Sequence, residues 1–223
     1  MSRRQHPCGR VLAVCAAGAL AVTAIVACSG DGDDVVPRSS KRLNIEKFRQ
    51  AVRPIGESGS QCPLPFDVAA AAATIHLDGA VAPGDPAADG SEGWSDDDAK
   101  ARDLYSDLTA MQRSNGVEVT CRYKVGTVEI HVDTWAARRG PAINPALPLI
   151  QRDAGVSVDT LSEFATRMTK IAPQQVVPVG EGGVAVVRLN VDGPGEAVLF
   201  VSAETLAPDR IATLASTFAK QLD

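Results

Sequence analysis

Few side chains in this 223-residue chain are suited to chemistry: it holds five cysteines and three histidines. A histidine beside a carboxylate can transfer protons, and His131 lies close in sequence to Glu129, Asp133 and, one segment earlier, Arg122. The alternation around them makes these residues the polar face of a strand pair, where cross-strand charge pairs are the ordinary arrangement. His76 follows an alanine-rich stretch and reads as a surface or capping residue. With His6 in the amino-terminal segment, no multi-histidine metal set can be assembled. There is no Gly-x-Ser-x-Gly elbow and no His-Glu-x-x-His pair. Gly180, Gly182 and Gly183 lack the Lys-Ser or Lys-Thr of a phosphate loop and precede a strand pattern, so they read as a turn. Asp31, Asp33 and Asp34 lack the later ligands of a calcium loop. We therefore expect no catalytic residue, no metal and no cofactor, with an unrecognised hydrolase as a remote alternative.

The cysteines divide by position. Residues 1–10 carry Arg3, Arg4 and Arg10 and no acid; residues 11–27 are almost wholly apolar; Ser29, Gly30, Asp31, Gly32, Asp33 and Asp34 follow. This is the order of a secretory signal. Its end, Ile25-Val26-Ala27-Cys28, resembles a bacterial lipobox, in which the cysteine after a small residue is diacylated. Leu12-Ala13-Val14-Cys15 fits less well, because Val14 is bulky where a small residue is needed. An uncleaved helix over residues 11–28 is the competing reading, near the lower limit of the roughly 20 residues that span a bilayer. Lipidation at Cys28 would anchor stably, since each buried methylene adds about 0.8 kcal/mol. Cys62 and Cys121 then remain as one pair in an oxidising compartment. A bridge between them would be worth about 4 kcal/mol by chain entropy. A redox or metal pair is the alternative, without a Cys-x-x-Cys or a nearby histidine to support it.

These assignments set the domains: a lipoprotein signal peptide over 1–27, a lipidated flexible tether over 28–42, and one domain over 43–223. Leu43, Ile45, Phe48 and Val52 have helical spacing before Pro54, and residues 55–61 read as a loop. Pro63 and Pro65 lead into an alanine-rich helix over 66–73 with Asp67 in its first turn. Residues 78–95, rich in glycine and proline, read as a mobile acidic insertion. Ser95 and Asp96 to Asp98 start a helix whose face is Ala101, Leu104, Tyr105, Leu108 and Met111, ended by Asn115-Gly116.

The clearest signal follows. Val117, Val119, Cys121, Tyr123 and Val125 alternate with polar residues, as do Val128, Ile130, Val132 and Thr134. Gly126 permits a hairpin between them, and Cys121 falls on the buried side. Residues 137–156 read as a connection punctuated by Pro and Gly. Thr160 and Glu163 have capping-box spacing ahead of an amphipathic helix through Leu161, Phe164, Ala165, Met168 and Ile171. A second hairpin joins 184–191 to 197–201, and a last helix starts at Pro208 with Ile211, Leu214, Ala215, Phe218 and Leu222 on one face. The expected fold is α+β: an antiparallel sheet of two hairpins, each followed by a helix, with helices packed on one face and one disulfide.

Three stretches carry a family resemblance: Cys62-Pro63-Leu64-Pro65-Phe66-Asp67-Val68-Ala69, Val119-Thr120-Cys121-Arg122-Tyr123, and Val177-Pro178-Val179-Gly180-Glu181-Gly182-Gly183-Val184-Ala185. The layout resembles actinobacterial envelope lipoproteins that share a two-cysteine domain of unknown function. In that group a cysteine before a short helix pairs with one in the first strand of a sheet. The resemblance covers most of residues 60–222. It implies an envelope lipoprotein and carries over no active site.

The formal charge is −5, and loss of residues 1–27 would leave the remainder more acidic. Without a basic stripe, nucleic acid is excluded as a partner. The hydrophobic share of 45% allows an ordinary core, but aromatics are only 4%, so it must be aliphatic. The expected role is non-enzymatic: a lipid-anchored protein on the extracytoplasmic side of the cell membrane, binding an envelope protein or a cell-wall component. Trp and Arg are enriched at binding hot spots, which marks Trp135, Arg138, Arg139 and Trp94 as the candidate surface. The alternative is a carrier or sensor of an apolar small molecule, held between sheet and helices by residues such as Val119, Ile130, Phe164 and Phe218.

Overall fold

A computed structural model of the chain describes residues 42–55, 61–90 and 109–223. In chain order its elements are β1 (Leu43–Asn44), α1 (Ile45–Val52), α2 (Val68–Thr74), β2 (Val81–Pro83), β3 (Ala87–Gly90), α3 (Ala110–Arg113), β4 (Gly116–Val125), β5 (Val128–Ala137), α4 (Ile143–Ala154), α5 (Val158–Met168), β6 (Val176–Pro178), β7 (Val184–Arg188), β8 (Val191–Asp192), β9 (Glu196–Ser202) and α6 (Pro208–Gln221). All of them belong to one compact unit. The expected signal segment, Cys28 and the expected tether to residue 41 lie outside the described residues, as does Trp94; of the helix expected after Ser95, the described residues begin at Thr109, whose backbone is extended and which caps the four-residue α3 afresh. No helix among the described residues is long and apolar enough to cross a membrane.

The class is α+β with one antiparallel seven-stranded sheet, in the order β2-β4-β5-β9-β7-β6, with β3 also on the outer edge of β4. Its backbone is the β4–β5 hairpin. Val125 pairs with Val128, so Gly126 and Thr127 make a two-residue turn, and Gly126 takes the positive φ of 59° that such a turn requires. β5 then pairs with β9 from Ala137↔Glu196 to His131↔Ser202, and β9 with β7. After β7 the chain leaves the sheet, and Val191 pairs in parallel with Leu43.

Helices cover both faces of this sheet, which corrects the expectation of a single covered face. On one side α1 (Phe48), α2 (Ala71) and α6 (Leu214, Phe218) pack on Val119, Cys121, Ile130 and Val132. On the other, α4 (Ile143, Ile150) and α5 (Phe164, Met168) pack on Val184, Val186, Val198 and Phe200. The cause is visible in β7 and β9. Val184-Ala185-Val186-Val187 and Ala197-Val198-Leu199-Phe200-Val201 are apolar at every position, and all are buried. A strand without alternation must be covered on both sides. Each fully buried Phe or Leu contributes about 1.5–3 kcal/mol.

Cys62 and Cys121 are bonded, with Cα atoms 5.4 Å apart across 59 residues of chain. The bond ties the approach to α2 onto a central strand. Helix starts follow local chemistry: Asn44 caps α1 by accepting from the Lys47 amide at 3.0 Å, and Asp67 caps α2 from the Ala70 amide at 2.9 Å. α5 begins before the expected Thr160–Glu163 box, because Ser157 accepts from the Thr160 amide at 3.2 Å.

Two further expectations are corrected. Residues 137–156, read as a connection, contain the 12-residue helix α4 despite Pro148 within it, ending at Gly155 in the left-handed conformation. Ile143, Ala146 and Ile150 form its buried side. Within the stretch read as a mobile insertion, residues 81–83 and 87–90 are strands on the edge of β4, with Val81↔Val125 and Asp89↔Glu118 in register. Pro83 is tolerated there because an edge strand need not donate on its outer side.

Candidate functional site

The face of β4 and β5 opposite the disulfide carries the cross-strand pairs Glu118↔Trp135, Thr120↔Asp133, Arg122↔His131 and Lys124↔Glu129. Asp89 of β3 lies opposite Glu118. Alternation alone makes this the polar, solvated side. α4 crosses it, however, and leaves Asp133 only 2% and Trp135 only 9% exposed. Between helix and strands lies a cleft of about 450 Å³, walled on the α4 side by Pro145, Pro148, Leu149, Arg152 and Asp153.

Burial governs the electrostatics. The Asp133 carboxyl is pushed up to about 6 by desolvation; the Thr120 hydroxyl, which donates to it, opposes the shift, Asp153 adds to it, and Arg122 and Arg152 pull it back. Glu118 rises to about 7, first by desolvation, then through Asp89 and Asp133. Two carboxyls on one face are thus poised between charged and neutral forms near neutral pH. Glu118 Oε2 and Trp135 Nε1 are both buried without a hydrogen-bond partner.

A second cavity of about 470 Å³ adjoins the first, sharing His131, Arg152 and Asp153 as lining. It extends to Ser202, Glu204 and Thr205. His131 and Ser202 face each other across β5 and β9. Ser, His and Asp on one cavity are the residue types of a nucleophile, base and orienting acid. Here no hydrogen bond joins them, and Asp153 is held by Arg152 at 2.7 Å. No metal-binding group of three or more His, Cys, Asp or Glu occurs among the described residues.

The residues singled out from sequence do not form one exposed patch. Trp135 is buried beside Ile143 and Ile150 in the α4-side core. Arg138 is exposed and paired with Glu46 of α1 at 3.5 Å, while the Arg139 amide donates to the Ser114 carbonyl at 3.0 Å. Trp94 lies outside the described residues. Nor do the four residues expected around an apolar cavity come together: Val119, Ile130 and Phe218 lie in one core and Phe164 in the other, with the sheet between them. None of the four lines the cavities described above. Sequence reasoning named Asp133, beside His131, but as a residue of a solvated face; it missed the burial of Asp133, the part of Glu118 and the α4 wall. The available signal was the helical spacing of Ile143, Ala146 and Ile150, closed by Gly155.

No protein-family model, curated protein or solved structure matches the chain.

Proposed function

We propose that the chain is an exported lipoprotein, acylated at Cys28 and held on the extracytoplasmic side of the cell membrane, where its domain binds a polar ligand or partner of the envelope. The reading keeps the kinship with actinobacterial envelope lipoproteins and the order of hairpins each followed by a helix. The observation that carries the binding role is the cleft under α4, lined by Arg122, His131, Arg152 and Asp153 beside the apolar Pro145, Pro148 and Leu149. The Cys62–Cys121 bond supports export, because such bonds persist in oxidising compartments. Asp153 is engaged by Arg152 at 2.7 Å and makes no hydrogen bond to His131, which favours a binding role over a hydrolytic one.

The anchor is tested by Cys28→Ala. The parent chain is expected in the membrane fraction, labelled by radioactive palmitate, and the variant in the soluble fraction without label. A variant that stays with the membrane would favour a spanning helix over residues 11–28 and end the lipid-anchor reading.

A further inference from the structure

We infer that α1 and the chain leading into it form a basic collar that docks the domain on anionic phospholipid headgroups around its own anchor. This rests on the lipid anchor at Cys28 proposed above and adds an orientation to it. The chain as a whole is acidic, with a net charge of −5, but its cations are unevenly spread. Residues 38–53 hold Arg38, Lys41, Arg42, Lys47, Arg49 and Arg53 against a single acid, Glu46. Basic clusters of about this size beside a membrane anchor are drawn to anionic lipid, each cation adding about fivefold in binding.

The fold keeps these charges at the surface and adds to them. α1 buries Ile45, Phe48 and Val52, which turns Lys47 and Arg53 outward. Both are exposed, as is Arg42 at the entrance to the domain. Arg138, just past the end of β5, joins them from a distant part of the chain: its guanidinium lies 3.5 Å from Glu46, and its side chain is 45% exposed. Glu46 is shared, because Arg49 Nε stands 3.9 Å from the same oxygen. A second acid, Asp192, lies opposite Asn44 in register. Among the described residues, Arg42, Lys47, Arg49, Arg53 and Arg138 therefore outweigh the acids at this end.

Position selects the partner. Arg42 follows Cys28 by 14 residues, a stretch that reaches at most about 50 Å. The collar is where that stretch enters the domain, so it is the part of the domain held nearest the bilayer. Tethering makes docking intramolecular, and contacts too weak to hold a free domain become populated. α1 and α4 cover opposite faces of the sheet. Docking through α1 thus turns the cleft under α4 away from the bilayer, toward the envelope.

The test reconstitutes the acylated full chain into vesicles of phosphatidylcholine alone and of an equimolar mixture with phosphatidylglycerol. Lysines are labelled with a membrane-impermeant amine reagent and quantified by mass spectrometry. Lys124, Lys170 and Lys220, exposed on other elements, are the internal references. Relative to them, Lys47 is expected to react at least about fivefold more slowly in the anionic vesicles than in the neutral ones. The slowing should vanish in about 1 M salt, where the screening length falls to about 3 Å. Arg42→Gln, Arg53→Gln and Arg138→Gln together keep Lys47 as the reporter and should abolish it, with a circular dichroism melt as the check on folding. Arg53→Gln alone, at an exposed position, should move it in the same direction. The inference is overturned if Lys47 reacts equally in both vesicles, or if the slowing survives high salt or the folded triple variant. It is also overturned if soluble polyphosphate shields Lys47 in neutral vesicles while anionic vesicles do not, which would give the collar to a soluble polyanion. A chain that Cys28→Ala fractionation shows to be anchored, but whose Lys47 is equally labelled, keeps the anchor and loses the docking. A chain without palmitate label loses both.

Discussion

The two faces of the central hairpin are built from the same two strands and do opposite work. On the disulfide face, Val117, Val119, Cys121, Ile130 and Val132 are fully buried under α1, α2 and α6. Thr134 adds a hydroxyl there, buried and without a partner. On the α4 face, Glu118, Thr120 and Asp133 are covered by a helix and border a cleft. One face spends its burial on stability. The other keeps carboxyls in a low-dielectric setting beside a cleft, which costs stability. The difference teaches that covering a strand with a helix need not make it core.

The largest effect expected from this contrast is on the disulfide face. Replacing Cys62 and Cys121 together with Ser should lower unfolding stability by about 4 kcal/mol, from loss of the 59-residue loop constraint. A urea titration without reductant checks it. A loss below about 1 kcal/mol would mean that the aliphatic core holds this face without the bond.

Next comes pH, which acts on the opposite face. Asp133 lies at about 6 and Glu118 at about 7, both above their ordinary values of 3.8 and 4.5. Between the unfolded and folded values the native state binds more protons than the unfolded state. Stability is therefore full below about pH 4 for these two groups and is lost as pH rises through about 6 and 7. For Asp133 the loss is on the order of 2–3 kcal/mol, and Glu118 acts in the same direction. Thermal melts at pH 5 and pH 8 should show the higher midpoint at pH 5, and Asp133→Asn should flatten the difference. A midpoint that rises with pH would place ion pairing, and not desolvation, in control of the cleft.

The smallest expected effects sharpen the same comparison with one atom on each face. Thr134→Val removes the orphan hydroxyl of the apolar face and should stabilise by about 1 kcal/mol. Thr120→Val removes the hydroxyl that donates to Asp133 and should destabilise by about 1 kcal/mol. Denaturant midpoints of the two variants should move in opposite directions. A shift of the same sign in both would erase the distinction between the faces.

Much of the sheet and little of the cleft were legible in advance. The alternation from Val117 to Thr134 places each side chain on a face, and Gly126 places the turn, because strand period and turn geometry are local properties. The disulfide was legible because Cys62 and Cys121 were the pair left once Cys28 was given to lipid and Cys8 and Cys15 to the signal. The strands over 81–83 and 87–90 were not, since Ala, Gly and Pro carry no alternating pattern and their order comes from pairing with β4. α4 was obscured by Pro145 and Pro148, whose usual meaning is a break. Its burial against β9 and β5 outweighs the missing hydrogen bond.

By itself, then, the sequence determined which residues share a face, where the chain turns, and which cysteines can meet. These follow from periods of two and 3.6 residues and from backbone sterics. Only the tertiary structure decided that the polar face would be roofed. Asp133 reads as a solvated strand residue, and it is α4, packed from a later part of the chain, that removes its water. Burial is a property of what lies above a residue, and no local pattern around Asp133 or Glu118 encodes a helix that begins ten or more residues later.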